Sequence, residues 1–166
     1  MNAENDSINR DEDQAQFLSF TLGDEDYGVN ILRVQEIRGW EEVREIPKTP
    51  DYIKGVLNLR STVVPIIDLR IRFGFEKVEY KATTVIIVLA VEKDDGSHVM
   101  GVVVDAVSDV LNIEPDNIKD APNFGAKVNT KFMNGMVMVN ERMVILLNVD
   151  KLLEQDELSA IENMSS

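Results

Sequence analysis

One stretch of the sequence occurs twice. Residues 55–69 and residues 135–149 both begin at a glycine, and apolar residues match apolar residues at eight further positions. Each copy has a short polar break in its middle, RST at 60–62 and NER at 140–142. Two apolar runs joined by a short polar break are typical of a β-hairpin. A duplicated hairpin predicts two related β subdomains within one chain.

The two copies also end alike. Asp68 precedes the short segment 69–73 and Asn148 precedes 149–153. Both residue types are favoured N-caps, because their side-chain oxygens accept hydrogen bonds from the first free amides of a helix. The repeated unit is therefore predicted to be a hairpin followed by a short helix.

A second pair of segments extends the duplication. Gly28-Val29, followed by Val34 and Ile37, resembles Gly101-Val102, followed by Val107 and Val110. Strands with alternating apolar residues resemble one another by chance, but matching glycines and matching caps favour a true duplication. Two short-stranded barrels side by side would remove exposed sheet edges. The expected fold is all-β with short helices.

The composition limits the classes of protein to which this chain can belong. A hydrophobic fraction of 44% in 166 residues supports a globular core, and the net charge of −13 opposes binding to nucleic acid or insertion into anionic membranes. Without cysteine there is no disulfide or thiol chemistry. We expect a disordered acidic tail over 1–15, a folded domain over 16–155 and a frayed acidic end over 156–166. No apolar run is long enough to span a membrane, and a cytoplasmic location is expected.

Residues suited to catalysis are few and scattered. His98 is the only histidine and is predicted to lie exposed in a loop over 92–98. Asp105 inside an apolar strand could serve in acid–base chemistry, although a structural carboxylate is the simpler interpretation. The methionines at 133, 136, 138 and 143 could form a binding surface but fit core positions better. No nucleotide-binding, hydrolase or zinc motif is present, so no cofactor or metal is expected.

The first hairpin carries a local excess of positive charge. Residues 54–72 contain Lys54, Arg60, Arg70 and Arg72 against one acidic residue, Asp68, a local charge of +3 in an acidic chain. Because charges are screened within about 8 Å at physiological salt, a partner at this hairpin would sense the local charge more than the total. An arginine at a rigid turn is suited to anchor an interface, and a solvated turn residue is the alternative.

Four segments together resemble the CheW family of bacterial chemotaxis coupling proteins. They are FTLGDEDYGVNILRVQEIRGW, TPDYIKGVLNLRSTVVPIIDLRIRF, TTVIIVLA and GVVVDAVSDVLNI, and the similarity covers residues 16–155. The resemblance implies two intertwined five-stranded SH3-like β-barrel subdomains. It also implies a non-catalytic adaptor that links the cytoplasmic tips of transmembrane chemoreceptors to the regulatory domain of the histidine kinase CheA, and that is recruited to membrane receptor arrays.

The resemblance also implies the receptor-contact residues. By motif they are Val34, Glu36, Arg60, Val85, Gly101, Val107 and Val110. The valines would line an apolar groove for a helical receptor hairpin, while Arg60 and Glu36 would fix its register through charged hydrogen bonds. Gly101 would let a helix approach the backbone. The matched pairs Val34/Val107 and Glu36/Asp109 suggest a groove where the two lobes meet.

The chain departs from the family pattern at two places, and two alternative functions stay open. Ser61 replaces a glycine that the family commonly has after the arginine, and the loop over 92–98 is longer than in close relatives. The resemblance assigns no kinase-contact residues. An adaptor of a different chemosensory pathway, such as surface motility, fits the sequence equally. A small enzyme using Asp105 and Asp68 is the alternative from another class.

Overall fold

The computed structural model describes residues 15–120 and 129–164. Ten strands account for most of the regular structure. They are β1 (Ala15–Leu22), β2 (Glu25–Asn30), β3 (Val34–Gly39), β4 (Ile53–Leu59), β5 (Thr62–Asp68), β6 (Val85–Lys93), β7 (Gly96–Val104), β8 (Ala106–Ile113), β9 (Met133–Val139) and β10 (Arg142–Leu147). The helices are α1 (Leu69–Arg72) and α2 (Gln155–Met164), with single 3₁₀ turns at Ile31–Arg33, Pro115–Asn117, Thr130–Phe132 and Val149–Lys151.

The strands form two five-stranded sheets that are intertwined along the chain. Sheet I has the order β8-β1-β2-β10-β9, and sheet II has the order β3-β6-β7-β5-β4. Sheet II is formed by one continuous part of the chain, from β3 to β7. Sheet I combines the strands that precede and follow that part. The chain therefore crosses from sheet I to sheet II between β2 and β3, and returns between β7 and β8. The predicted all-β fold with two intertwined subdomains is confirmed.

The two sheets repeat each other residue by residue. The first hairpin of the duplication is β4–β5 in sheet II, and the second is β9–β10 in sheet I. Ile66 of β5 pairs in parallel with Gly101 of β7, and Leu146 of β10 pairs in the same way with Gly28 of β2. The predicted equivalence of the two glycines and of the two hairpins is therefore confirmed by the strand register.

Side-chain alternation along the strands divides the core into three clusters. One large cluster contains residues of both sheets and holds the lobes together, with Tyr27, Leu89 and Ile145 among its buried members. A smaller cluster lies within each sheet. The hairpin residues of these two clusters correspond across the repeat: Leu57 with Val137, Val64 with Val144, and Ile66 with Leu146.

The predicted closure into barrels is only partial. Within the described residues, the outer strands of each sheet are joined by single bridges rather than by a ladder, Arg44 with Val56 in sheet II and Lys119 with Met136 in sheet I. In each hairpin a glycine, Gly55 or Gly135, comes directly before the bridge residue, because the carbonyl across the bridge leaves no room for a Cβ there. A Cβ at Gly55 would lie 2.2 Å from the Arg44 carbonyl oxygen.

Both predicted helix caps are present. The Asp68 carboxylate accepts hydrogen bonds from the amides of Arg70 and Ile71 at 2.9 and 3.3 Å. The Asn148 side chain accepts one from the amide of Asp150 at 3.2 Å. The repeated unit is therefore a hairpin followed by a capped helical turn, as the sequence predicts.

The acidic end of the chain packs on the core as a helix. Residues 156–166 are expected to be partly helical and to fray, and helix α2 covers Gln155–Met164 with Leu158 and Ile161 buried in the shared core cluster. Their spacing of three residues places both side chains on one face of the helix. The predicted tail over 1–15 lies outside the described residues, except that Ala15 begins β1. No helix of the described chain is long and apolar enough to span a membrane.

The hairpin turns explain the departure at Ser61. Arg60 and Ser61 have φ of +52° and +66°, and their repeat counterparts Asn140 and Glu141 have +50° and +68°. Two successive residues with positive φ are required by the tight turns that match the twist of a hairpin. Ser61 therefore adopts the turn that a glycine would adopt more easily, and the backbone around Arg60 keeps its geometry.

Ser61→Gly is expected to raise the free energy of unfolding by about 0.5–1 kcal/mol, because relief of left-handed strain outweighs the extra entropy of an unfolded glycine. Urea unfolding measures the change. Glu141→Gly at the equivalent turn provides the matched comparison and should shift stability in the same direction. A fall in the free energy of unfolding for Ser61→Gly would contradict this account of the turn.

Candidate functional site

Three of the predicted receptor-contact residues line one groove in sheet II. Val34 and Glu36 lie on the outer strand β3, and Arg60 lies at the tip of the β4–β5 hairpin. The groove has a volume of about 350 Å³. Its remaining walls are Gln35, Leu59, Thr62, Val64, Val88 and Val99. The groove thus combines an apolar floor from the interior of sheet II with one acidic and one basic side chain at its border.

Arg60 is the exposed basic group of this region. It occupies the positive-φ turn and is solvent-exposed, and within residues 15–120 and 129–164 it forms no ion pair. The other arginines of the predicted basic stretch are engaged internally. Arg70 pairs with Asp105, while Arg72 donates to the Leu152 carbonyl at 2.8 Å and lies over the ring of Tyr52. The basic surface is therefore narrower than predicted and centres on Arg60.

Glu36 is held by a neighbour on its own strand. Arg38 lies 3.5 Å from the Glu36 carboxylate and donates to Glu41 at 2.9 Å. The hydrogen bond with Glu41, with a further contribution from Glu36, raises the pKa of Arg38. Glu36 therefore has a basic neighbour at its carboxylate and lines the same groove as Arg60, on a different strand.

The predicted valines fall into two environments. Val34, Val85 and Val107 are partly buried and pack against the core cluster that the two sheets share. They come from both lobes, since Val34 and Val85 belong to sheet II and Val107 to sheet I. Val110, further along β8, is 49% exposed. The structure thus places these side chains around the junction of the lobes, but Val85, Val107 and Val110 do not line the groove of Arg60.

Gly101 lies inside sheet II. Gly101 is buried in the central strand β7 and pairs with Ile66 on one side and Val88 on the other. A Cβ there would lie 2.6 Å from the Ile66 side chain and 2.9 Å from that of Ile86. Close packing within the sheet therefore accounts for a glycine at this position, and a receptor contact at Gly101 stays a prediction.

The two aspartates of the enzyme alternative share a cavity of about 300 Å³, but neither is free to act. Asp68 caps helix α1 and accepts a hydrogen bond from the Tyr80 hydroxyl at 2.6 Å. Asp105 accepts from two nitrogens of Arg70, at 2.8 and 2.5 Å, and from the Gly23 amide at 2.7 Å. Burial alone would raise the pKa of Asp105, but these hydrogen bonds lower it below its ordinary value. A stabilised carboxylate is a poor general base.

His98 is not the exposed loop residue that the sequence predicts. The predicted loop over 92–98 is a continuation of β6 and β7, which pair as far as Lys93 and Gly96. The His98 side chain is 10% exposed, with Nδ1 2.7 Å from a carboxylate oxygen of Glu162 and Nε2 2.7 Å from one of Asp95. Both ring nitrogens can donate only in the imidazolium form. His98 thus fastens helix α2 to the β6–β7 hairpin.

The free energy of unfolding is expected to fall as pH rises through the pKa of His98. Hydrogen bonds with Asp95 and then Glu162 raise this pKa above its ordinary value. A raised folded-state pKa gives stabilisation that is complete below the unfolded pKa of about 6.5 and disappears above the folded pKa. Because His98 is the only histidine, the slope measured by urea unfolding between about pH 6 and pH 9 should flatten in His98→Gln. Equal slopes in both proteins would refute this role.

The sequence did not reveal several residues of the site. Val64 of β5, Val88 of β6 and Val99 of β7 form the groove floor, and the apolar runs of these strands were an available signal. Arg33 and Asp150 form an ion pair at 2.8 Å across 117 positions, for which no local signal exists. Among the described residues there is no group of three or more His, Cys, Asp or Glu side chains that could hold a metal ion.

Known proteins resemble this chain in sequence over most of its length. The family model of the CheW-like domain matches residues 16–157. A chemotaxis protein CheW of Klebsiella aerogenes is 47% identical over 150 residues, covering 90% of this chain and 88% of that protein. A probable chemotaxis protein CheW of Rhizobium etli is 37% identical over 87% of this chain and 91% of that protein.

A solved structure supports the same assignment. The scaffolding protein TtCheW of Thermoanaerobacter tengcongensis superimposes with a TM-score of 0.76 at 30% identity, covering 87% of this chain and 90% of that one. The family model, the identity to curated relatives and the shared fold each cover nearly all of the folded part. The chain belongs to the CheW-like domain family.

Proposed function

We propose that this protein is a non-catalytic adaptor of bacterial chemotaxis, coupling transmembrane chemoreceptors to the histidine kinase CheA. Membership of a family of scaffold proteins supports the coupling role. The proposed receptor contact rests on one observation, the groove that exposed Arg60 lines together with Glu36 and Val34 over an apolar floor.

The groove suits one face of a helical hairpin. Leu59 and Val99 are partly exposed over the buried side chains of Val64 and Val88, and they offer apolar contact to a helix. Burial of such contact is the main source of binding energy in helix-in-groove recognition. Arg60 and Glu36 have opposite charges, so they select the orientation of a partner helix that carries complementary charges. Val107 and Val110 would extend the contact along β8.

The kinase contact is expected to involve a different surface. The family resemblance implies that the regulatory domain of CheA, which has a similar fold, packs against the ends of the subdomains. No residue is assigned to it. Independent surfaces for the two partners would let one molecule bind both at once, which a coupling protein requires.

The test is a binding experiment with purified partners. A receptor cytoplasmic fragment and the CheA regulatory domain are each immobilised, and retention of this protein is measured alone and in competition. Retention by both, without competition, is expected. Failure to bind either partner would refute the proposal, while selective binding to a kinase from another chemosensory system would identify the pathway as a different one.

A further inference from the structure

The chain crosses between the sheets twice, and a two-pronged ion pair holds each crossing. At the first crossing, Arg33 donates to both carboxylate oxygens of Asp150, at 2.8 and 3.0 Å. Arg33 lies in the turn between β2 and β3, and Asp150 follows β10 of sheet I. The same carboxylate accepts the amide of Glu92 in sheet II at 2.7 Å, and Arg33 also donates to the Ala90 carbonyl at 3.2 Å.

The second crossing has the same arrangement. Asp105 lies between β7 and β8, and both of its oxygens accept from Arg70, which follows β5 of sheet II. The carboxylate also accepts the amide of Gly23 in sheet I, and the Asp105 amide donates to the Thr21 carbonyl at 3.1 Å. Each crossing is thus bonded to both sheets.

The two ion pairs are related by the duplication at one end, where Arg70 and Asp150 occupy the same repeat position with opposite charges. Asp150 occupies the repeat position of Arg70, eighty residues later. Phe20 pairs with Val107 as Leu89 pairs with Val34, so Gly23 and Glu92 are also equivalent. The crossing residue is the cation in one case and the carboxylate in the other. Arg33 and Asp105 differ by one residue in the repeat register, so the two pairs are similar arrangements and not copies of one pair.

Partial burial makes these pairs stronger than ordinary surface contacts. The side chains of Arg33 and Asp150 are 30% and 28% exposed, and those of Arg70 and Asp105 are 17% and 28% exposed. Two parallel hydrogen bonds fix the relative orientation of the groups as well as their distance. The pair of Arg142 with Asp26 differs, because it lies within sheet I and its arginine is 63% exposed.

A predicted receptor contact follows the charged residue of each crossing within two residues. Arg33 immediately precedes Val34, and Asp105 lies two residues before Val107. We propose that the crossover ion pairs, Arg33–Asp150 and Arg70–Asp105, are positioning elements that set the distance between Val34 and Val107 and so fit the junction of the lobes to the receptor helices. This inference rests on the proposed function, since it concerns how the receptor surface is held and not whether it exists.

The experiment compares Arg33→Gln and Arg70→Gln with the matched control Arg142→Gln. Each substitution removes the charge and retains most of the side chain. Loss of either crossover pair is expected to weaken binding of a receptor cytoplasmic fragment about tenfold, while binding of the CheA regulatory domain changes by less than about twofold. The control should leave both affinities unchanged, because its ion pair joins strands of the same sheet.

A distance measurement separates positioning from general stability. The chain has no cysteine, so spin labels can be placed at Gln35→Cys and Ser108→Cys, exposed positions beside Val34 and Val107. The distance distribution between the labels is expected to broaden or shift in Arg33→Gln and Arg70→Gln, but not in Arg142→Gln. An unchanged distribution would overturn the proposal, as would an equal loss of affinity for both partners.

The two proposals fail in different ways. If the unsubstituted chain does not bind the receptor fragment, the proposed function is wrong. If it binds, and Arg33→Gln and Arg70→Gln bind equally well, only the positioning role is wrong. Arg33→Lys gives a graded check, because lysine keeps the charge but cannot form the two-pronged contact. An intermediate affinity is expected for it, and full loss with Lys would contradict a contribution from charge.

Discussion

Arg60→Glu is expected to abolish receptor coupling while leaving the protein folded. Arg60 is exposed at a hairpin turn and forms no ion pair within the part of the chain that the structure describes. Replacing it by a carboxylate therefore removes no internal contact. In the groove it places two acidic side chains, at 36 and 60, around any bound helix. Loss of a charged contact and new repulsion together should cost about 2–5 kcal/mol of binding free energy.

The repeat supplies a matched control for this variant. Asn140 occupies the equivalent turn position in sheet I, with φ of +50° against +52° for Arg60. Asn140→Glu introduces the same residue at the same backbone conformation, away from the groove. Kinase activation in reconstituted assemblies of receptor and CheA is measured for both. Activation should be lost only with Arg60→Glu, and equal activation by the two variants would remove Arg60 from the receptor contact.

Most of the correct predictions about the fold came from local sequence patterns. The hairpins β4–β5 and β9–β10 join neighbouring segments, so alternation and a polar break are enough to identify them. The equivalence of Gly28 and Gly101 was also predictable, because both allow tight packing against the β-strand of the preceding or following hairpin. A Cβ at Gly28 would lie 3.1 Å from Leu146, the repeat counterpart of Ile66.

Contacts between distant segments account for the errors. The polar residues over 92–98 look like a loop, yet they continue a two-stranded ladder whose side chains face solvent at 94–97. His98 is largely enclosed, and Glu162 of helix α2 lies 2.7 Å from its ring. The acidic character of α2 suggested fraying, but Leu158 and Ile161 are buried in the core cluster that the two sheets share, a contact with no local sequence signal.

The sequence indicated some features of the candidate site and not others, again because contacts between distant segments leave no local pattern. Arg60, Glu36 and Val34 lie together because β3 and the β4–β5 hairpin belong to one sheet. The sequence grouped these residues only through the family resemblance. The close packing around Gly101 was not predicted, because an alternating strand does not reveal which residues are enclosed on both sides. Arg70 looked like part of a basic surface, but its partner Asp105 lies 35 positions away on another strand connection.

Gly55→Ala is expected to be the most destabilising single-methyl change in the first hairpin. The added Cβ would lie 2.2 Å from the Arg44 carbonyl oxygen and 2.7 Å from its carbon, and Gly55 has φ of +148°. Relief requires separating Arg44 from Val56, whose backbone groups form two hydrogen bonds of 2.9 and 3.0 Å. Overpacking and backbone strain together should lower the free energy of unfolding by about 3–5 kcal/mol.

Two other glycines allow the expected losses in the free energy of unfolding to be ranked. A Cβ at Gly135, the repeat counterpart, would lie 2.8 Å from the Lys119 carbonyl oxygen and 2.7 Å from the Ile118 side chain, which can move. At Gly39 a Cβ would meet nothing within 4 Å. Urea unfolding should therefore give a large loss for Gly55→Ala, a smaller one for Gly135→Ala and a change within about 0.5 kcal/mol for Gly39→Ala. Because the bridge at Arg44 is all that joins the outer strands of sheet II among the described residues, a Gly55→Ala protein as stable as Gly39→Ala would mean that this bridge does not hold the sheet together.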